Sequence, residues 1–506
     1  MRCSSRLALH FRLNFRPQHL HCFQPVTSAD SSIDTIAAIS TPPGRGGIGI
    51  VRLSGPRAAS IAAQLVHLHQ PLEHARARLA DVLEEDPKAA RIDESLVTFF
   101  GAPHSYTGDD LVEIAAHGSP VVLELLLTRA LKLGARLAEP GEFTQRAFLS
   151  GKLDLTQAEA VRDLIAAQTL TQARQAASQM GGALSRRVLP VKQSLVELIA
   201  LLEAGIDFGE DDVHVTPLAE IARRLAELTP PLALLEASFT RGRIVHDGLT
   251  LAIVGRPNAG KSSLFNCLVE RDRAIVTATP GTTRDTVAER ISLDGIPLEL
   301  VDTAGLRSEP DEGASETLEE AEQLGIDRSR LALADAALVL IVLDATQPLN
   351  EEERRLLVAV ENRPAVVVLN KCDLLEEGRP RPESTDALGA PSFPRSLGEG
   401  WESTNLIATS ALTGQGIAKL RERILALATG GAASEPGMLT SLRHQQAIAA
   451  ALTALADAAC ANAASIPHEM ILLDLYRALW ALDSLTGQTT PDDILNRIFS
   501  TFCIGK

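Results

Sequence analysis

The 506-residue sequence predicts a multidomain α/β protein: an N-terminal α+β domain, then a helical domain with a mostly parallel α/β domain inserted into it. Three observations predict it. Short β-like runs alternate with turns over residues 34–150. Helical apolar spacing fills 151–247 and returns over 431–506. Between those helical stretches, continuous apolar runs alternate with helical segments over 248–430, as buried parallel strands do.

Residues 1–33 open with MRCSSRLALHFRLNFRPQHLHCFQPVTSA, which carries arginines and no acid. That composition resembles an organelle transit peptide; a dispensable or wrongly assigned start is the plain alternative, and the segment is kept out of the fold. Over 34–150 the strand-like runs are TIAAIS, IGIVRL, ESLVTFF and DLVEIAA, with one helix-like stretch, VVLELLLTRALKLG. In 151–247, Val188, Val191, Leu195, Leu198 and Leu202 recur at three and four residues and form an apolar stripe on one helix face. The runs LTLAIV, LELVD, ALVLIVLD and AVVVLN mark the strands of 248–430, where residues 376–404 read as a flexible loop. In 431–506, Leu472, Leu475, Leu479 and Leu482 mark a helix face. TTPDD then starts a final helix, with Thr490 as N-cap, Pro491 at N1 and acids in the first turn.

With 45% hydrophobic but only 3% aromatic residues, the cores must be built from Ala, Leu, Ile and Val. No run approaches the roughly 20 apolar residues that a membrane span needs. A net charge of −16 argues against indiscriminate coating of nucleic acid, yet leaves room for a local basic site or for RNA held by a partner. Six scattered cysteines with no CxxC pair fit reduced thiols in the cytoplasm rather than disulfides or zinc; a transit peptide would make the location mitochondrial.

The strong chemical signal is GRPNAGKSS, between the strand LTLAIV and a helical run. Gly255-x-x-x-x-Gly260-Lys261-Ser262 is the P-loop pattern, whose backbone N–H groups and helix N-terminus face phosphate oxygens. Lys261 should reach the β- and γ-phosphates, and Ser262 should ligate Mg²⁺. A bare glycine turn would satisfy this motif alone, but three more motifs follow in order. ATPGTTRD supplies Thr283, a second Mg²⁺ hydroxyl. LELVDTAG places Asp302 at a strand end for the metal shell and Gly305 for the γ-phosphate. VVVLNKCD ends a strand with Asn370, Lys371 and Asp373, whose carboxylate accepts a pair of guanine N–H groups that adenine lacks. TSAL completes the base pocket. The expected GTP-binding residues are Asn258, Ala259, Gly260, Lys261, Ser262 and Ser263; Thr277, Ala278, Thr279, Pro280, Gly281, Thr282 and Thr283; Asp302, Thr303, Ala304 and Gly305; Asn370, Lys371 and Asp373; and Ser410, Ala411 and Leu412. Ras-type GTPases place a water-orienting glutamine after the DTAG glycine, where this chain has Leu306, so hydrolysis needs another device.

Weaker signals lie elsewhere. GRGGIG (Gly44, Gly46, Gly49) matches the dinucleotide pattern GxGxxG, but the IVRLSG that follows reads as strand, so no helix N-terminus is there for a pyrophosphate. Arg45 and Arg52 flank it and could bind an anion. Glu142, Arg146 and Lys152 in PGEFTQRAFLSGKLDL read as ordinary helix charges, and Cys503 alone reads as an idle thiol with only Lys506 nearby to lower its pKa.

Together TPPGRGG, PGEF, KLDLTQAEAV, GRPNAGKSS, GTTRD, DTAGLR, LGIDR and the terminal RIFSTFCIGK resemble the MnmE (TrmE) family of tRNA-modifying GTPases over nearly all of residues 34–506. The resemblance implies a Ras-like P-loop GTPase domain and an N-terminal folate-binding-like domain that forms a homodimer. It implies a flavin-dependent MnmG (GidA)-like, FAD-carrying partner in a heterotetramer, and tRNA as substrate. The group installed at carbon 5 of the wobble uridine is of aminomethyl or carboxymethylaminomethyl type, from a 5-formyl or methylene tetrahydrofolate. By motif position, folate would meet Arg52, Glu113, Lys152 and Lys506, which places Cys503 beside the chemistry. The family's K⁺, in place of an arginine finger, would be held by Asn258, Thr277, Thr279 and Thr282. Its water-orienting acid falls on Glu322 in EQLGIDR, with Glu316, Glu319 and Glu320 as competitors because this segment is longer here. Two other readings share the same G motifs: a GTP-dependent ribosome or RNA assembly switch without covalent chemistry, and a small-molecule folate-dependent transferase. The first would be expected to carry an RNA-binding module such as a KH domain.

Overall fold

The structure, a computed structural model, describes residues 34–84, 90–207, 216–271, 288–302, 336–361, 363–375, 406–429, 437–488 and 492–505. The described residues through Lys152, joined by the chain from Cys503 on, make one compact unit, and Leu153–Phe502 make the other. The α/β sheet and the helices expected on either side of it thus fall in one unit, while the tail joins the N-terminal one.

In the first unit β1 (Ile36–Ile39) and β2 (Gly46–Ser54) lead to α1 (Ala58–Leu65). Then come β3 (His67–Leu68), β4 (Arg76–Leu83), β5 (Arg91–Phe100), β6 (Leu111–Gly118), α2 (Pro120–Lys132), β7 (Arg136–Leu137) and α3 (Glu142–Leu149). The sheet order is β3-β4-β5-β6-β2-β1-β7. Its two-residue period sorts the side chains: Val51, Leu53, Val112 and Ile114 face a core shared with Ile61 of α1 and Leu126 of α2. Arg52 and Glu113, each one residue out of phase, stand opposite one another on the other face. The run Gly46–Gly49 is the start of β2 itself, with a bulge, so the rejection of a dinucleotide loop is borne out. Helices α1 and α3 and strand β4 were not legible: AASIAAQL and EFTQRAFL are short, and RARLADVL alternates weakly because its outward positions are charged or small.

The second unit begins with α4 (Leu155–Ala166), α5 (Leu170–Met180), α6 (Ala183–Asp207), α7 (Leu218–Ala237) and α8 (Phe239–Asp247). The sheet segment follows: β8 (Leu249–Val254), α9 (Lys261–Arg271), β9 (Ala288–Leu293), β10 (Ile296–Asp302), β11 (Leu338–Asp344), α10 (Glu351–Ala359), β12 (Ala365–Asn370), β13 (Leu406–Ala408) and α11 (Ile417–Thr429). It closes with α12 (Leu442–Ala463), α13 (His468–Thr486) and α14 (Asp492–Phe499). The strand order is β13-β12-β11-β8-β10-β9, parallel except for the β9–β10 hairpin. That hairpin turns on Asp294 and Gly295 at φ 48° and 85°, the two positive values of a tight Asp-Gly turn. Alternate strand residues fill separate cores on the two faces: Leu340, Val342 and Val366 on one, Val339, Ile341 and Val367 on the other. This is the double covering that the apolar runs predict.

Val188, Val191, Leu195, Leu198 and Leu202 are all buried, in one cluster with Leu225 of α7, Ile448 of α12 and Leu475 of α13. Helices before and after the sheet therefore share a core, which makes the sheet an insertion. Leu472 and Leu482 are buried there too, and Leu479 is half-buried against it. Helix α14 is present, while its expected cap at Thr490 and Pro491, and the loop 376–404, lie outside the described residues. Among the described residues no helix is long and apolar enough to cross a membrane.

Candidate functional site

Strand β8 is buried along most of its length and delivers the chain to Gly255. A side chain at Gly255 would overlap the Val342 carbonyl of β11, and one at Gly260 (φ 91°) would overlap the Asn370 amide. Both glycines are thus required by close approach. Asn258 between them has φ 65° and is exposed. Lys261 opens α9 with its ammonium folded onto its own loop, donating to the carbonyls of Gly255 (2.7 Å) and Arg256 (2.9 Å). Ser262 and Ser263 lie exposed on the first turn of α9. Arg256 stands 3.3 Å from Glu353, the buried capping-box acid of α10, which fixes the outer side of the loop.

Asn370 ends β12 and is almost fully buried. Its Nδ2 donates to the Ala259 carbonyl (3.0 Å), and its Oδ1 accepts the Ala411 N–H (3.1 Å) and the Thr409 hydroxyl (3.4 Å). One amide thereby ties the P-loop to NKCD and TSAL. Lys371 follows in the left-handed conformation and donates to Asp344 at the end of β11, 2.7 Å away. Burial pushes the Asp344 carboxyl up, but bonds from Lys371 and from the Thr346 hydroxyl and N–H outweigh it and hold it below its usual range. Asp373 is exposed on the short turn Cys372–Leu374. Ser410 is buried and braces its own loop by accepting the Thr413 N–H, while Leu412 is exposed. Asp302 ends β10 in register with Ile253 of β8, so its backbone arrives beside the P-loop.

In the first unit, Arg52 donates twice to Glu113 Oε1, at 3.0 and 2.7 Å, across the β2–β6 pair. Its guanidinium lies 5.6 Å from the Phe143 ring centre, a cation–π contact. The third partner is the tail: the Gly505 carbonyl accepts from Arg52 Nη1 (3.3 Å) and from Ser40 Oγ (3.0 Å). Gly505 has φ 93° and lies against the β1 end, where a Cβ would crowd the Ile39 carbonyl. Ile504 bridges to Pro140, and the Cys503 carbonyl accepts the Gly141 N–H at 3.4 Å. The Cys503 side chain is exposed. Lys152 is exposed beside the loop at Gly108.

A model of the MnmE helical domain matches residues 155–503, and a model of the GTP-binding protein TrmE N-terminus matches 35–152. The tRNA modification GTPase MnmE of Koribacter versatilis is 54% identical over 94% of this chain and 99% of its own length. Those of Chloroflexus aurantiacus and Roseiflexus castenholzii are 41% and 40% identical, each over 94% of this chain and 100% and 99% of their own. The chain belongs to the MnmE family of tRNA modification GTPases.

As an MnmE-family chain it is a GTP-hydrolysing enzyme. The structure brings together Asn258, Ala259, Gly260, Lys261, Asn370, Lys371, Ser410 and Ala411 at the nucleotide end of the sheet. It separately brings Arg52 and Glu113 to the tail at Gly505. Thr277 through Thr283, Thr303, Ala304, Gly305, Leu306, Glu316, Glu319, Glu320, Glu322 and Lys506 lie outside the described residues. Asp344, Glu353, Ser40 and Phe143 were missed by sequence reasoning. Asp344 had a signal, an acid closing the apolar strand LVLIVLD as Asp302 closes its own. Ser40 and Phe143 had none.

Proposed function

We propose that this MnmE-family chain couples its GTP hydrolysis to modification of carbon 5 of the tRNA wobble uridine. An aminomethyl or carboxymethylaminomethyl group is installed from a tetrahydrofolate one-carbon unit, with an FAD-dependent MnmG (GidA)-like partner. The observation that carries the reading is the joining of P-loop, NKCD and TSAL through Asn370 in a chain of this family. Phosphates lie along the loop from Asn258 to Lys261, and Lys261 exchanges its two carbonyl partners for phosphate oxygens. Mg²⁺ would be held by the hydroxyl of Ser262, exposed on the first turn of α9, together with Thr283 and Asp302. Asp373 accepts the guanine N–H pair, with Lys371 held aside by Asp344. K⁺ would be held at Asn258, Thr277, Thr279 and Thr282, and Glu322 would orient the water that Leu306 cannot.

At the tail, both Arg52 bonds land on one oxygen of Glu113, which leaves Oε2 to accept from a ligand N–H, as a folate ring requires. Arg52, Glu113, Lys152 and Lys506 form the folate set, with Cys503 beside it. Self-association through the first unit is supported by its open sheet face, where the cross-strand neighbours Leu79 and Leu96 are 46% and 49% exposed. The homodimer then pairs with MnmG-like subunits as a heterotetramer in the cytoplasm.

Mass spectrometry of total tRNA nucleosides tests the reading. A deletion strain is expected to lose a 5-substituted uridine that wild type restores. If Cys503→Ser also fails to restore it, the tail belongs to the chemistry; an unchanged nucleoside profile on deletion overturns the proposal.

A further inference from the structure

The N-terminus of α5 makes contacts that its own capping does not require. Thr169 and Gln172 form a capping box: the Thr169 hydroxyl accepts the Gln172 N–H (3.1 Å), and Gln172 Oε1 accepts the N–H groups of Thr169 (3.1 Å) and Gln168 (2.8 Å). That uses the acceptors and leaves two donors. The Thr169 hydroxyl donates to the Gly295 carbonyl in the β9–β10 turn at 2.7 Å. Gln172 Nε2 donates to the His246 carbonyl in the last turn of α8 at 2.6 Å. The approach to the turn is close enough that any Cβ at Gly295 would overlap the Thr171 hydroxyl.

The other ends of the gripped strands give these contacts their meaning. Three residues after His246 the chain enters β8, which ends in the P-loop. Strand β9 begins three residues after GTTRD, and β10 ends on the Asp302 of DTAG. All three strands that carry phosphate-sensing motifs at one end are thus held at the other by one capping box of the helical core. His246 is also fastened to α4, its Nε2 3.2 Å from Asp163. A cavity of about 190 Å³, lined by Gln172, Gln175 and Asp163, adjoins the contact, and the buried Gln175 Nε2 has no hydrogen-bond partner among the described residues.

We propose that Thr169 and Gln172 are positioning residues that deliver the nucleotide state of the sheet to the helical core, through the two donors left over by their capping box. This rests on the proposed coupling of GTP hydrolysis to tRNA modification. When the γ-phosphate draws on the segments at either end of β9–β10, the hairpin moves as a lever, and Thr169 carries the displacement to α5 while Gln172 holds the α8 reference point.

The test separates capping from coupling. Thr169→Asp with Gln172→Glu keeps a complete capping box but removes both donors; Thr169→Ser keeps everything. In the full chain with its partner, the double variant should hydrolyse GTP within about 2-fold of wild type while tRNA modified per GTP consumed falls 10-fold or more; its melting temperature drops somewhat, because the Gly295 and His246 carbonyls lose their donors. Thr169→Ser should match wild type. Hydrogen exchange at 168–176 should differ between GDP and a non-hydrolysable GTP analogue in wild type, and not in the double variant. Unchanged modification per GTP in the double variant overturns the proposal, as does a wild type whose exchange at 168–176 ignores the nucleotide. A wild type that modifies no tRNA overturns the function reading instead, and the exchange difference still decides the coupling.

Discussion

Asn370 shows what one side chain does at the nucleotide end. It holds the P-loop with its amide N–H and TSAL with its amide oxygen, so Asn370→Ala strands a buried carbonyl and a half-buried N–H. Each loss costs about 1–3 kcal/mol. The expected result is at least a 10-fold weaker affinity in a titration with a fluorescent GTP analogue, with the melting temperature of the first unit unchanged. Asp344→Asn removes the charge that fixes Lys371 and should weaken GTP binding less, about 3-fold to 10-fold by the same titration. NKCD and the P-loop were legible because their residues are contiguous and their order along the chain is informative. Asp344 stands 27 residues from Lys371, and Gly505 stands 453 from Arg52, so nothing local announces either pairing.

Helices are where electrostatics decides stability. Glu159 of α4 is buried and receives His444 and Arg443 of α12, at 2.6 and 2.8 Å; Arg443 also donates to the Ser484 and Leu485 carbonyls that end α13. Burial pushes the Glu159 carboxyl up, but bonds from His444 and then Arg443 outweigh it and hold it at about 2, below the ordinary 4.5. Its stabilising contribution is therefore present above pH 4.5 and is lost as pH falls from 4.5 through 2. Glu159→Ala leaves Arg443 and a buried His444 without their carboxylate and should cost about 3–5 kcal/mol in denaturant unfolding. His246 has the opposite sign. Its bond to Asp163, opposed by burial, raises it from 6.5 to about 9, so its contribution is full below pH 6.5 and is lost as pH rises through 9. The melting temperature should fall across that window in wild type and stay flatter in His246→Gln. The stripe on α6 was legible from its three-and-four spacing, whereas the α4–α12 lock joins residues 284 apart and was not.

The whole chain combines an inserted sheet with a helical core assembled from both sides of the insertion. Both sheet cores draw their buried residues from between Leu249 and Ala428, so a fragment of residues 248–430 should fold alone, bind GTP and unfold cooperatively by calorimetry. The helical core cannot be cut in this way, because Leu195 and Leu225 are covered by Ile448 and Leu475. Removing the last four residues should leave GTP hydrolysis and the second unit's stability intact and abolish folate binding, read by equilibrium dialysis. By itself the sequence determined the α/β class, the insertion, the GTP motifs and their order, because strand period, helix spacing and glycine turns are short-range consequences of backbone geometry. Only the tertiary structure decided that Asn370 fastens three loops, that Asp344 holds Lys371, that the tail closes on Arg52, and that α5 grips the β9–β10 turn. Those contacts are set by how separate elements pack, and a hydrogen bond between distant residues has no signature in the sequence around either partner.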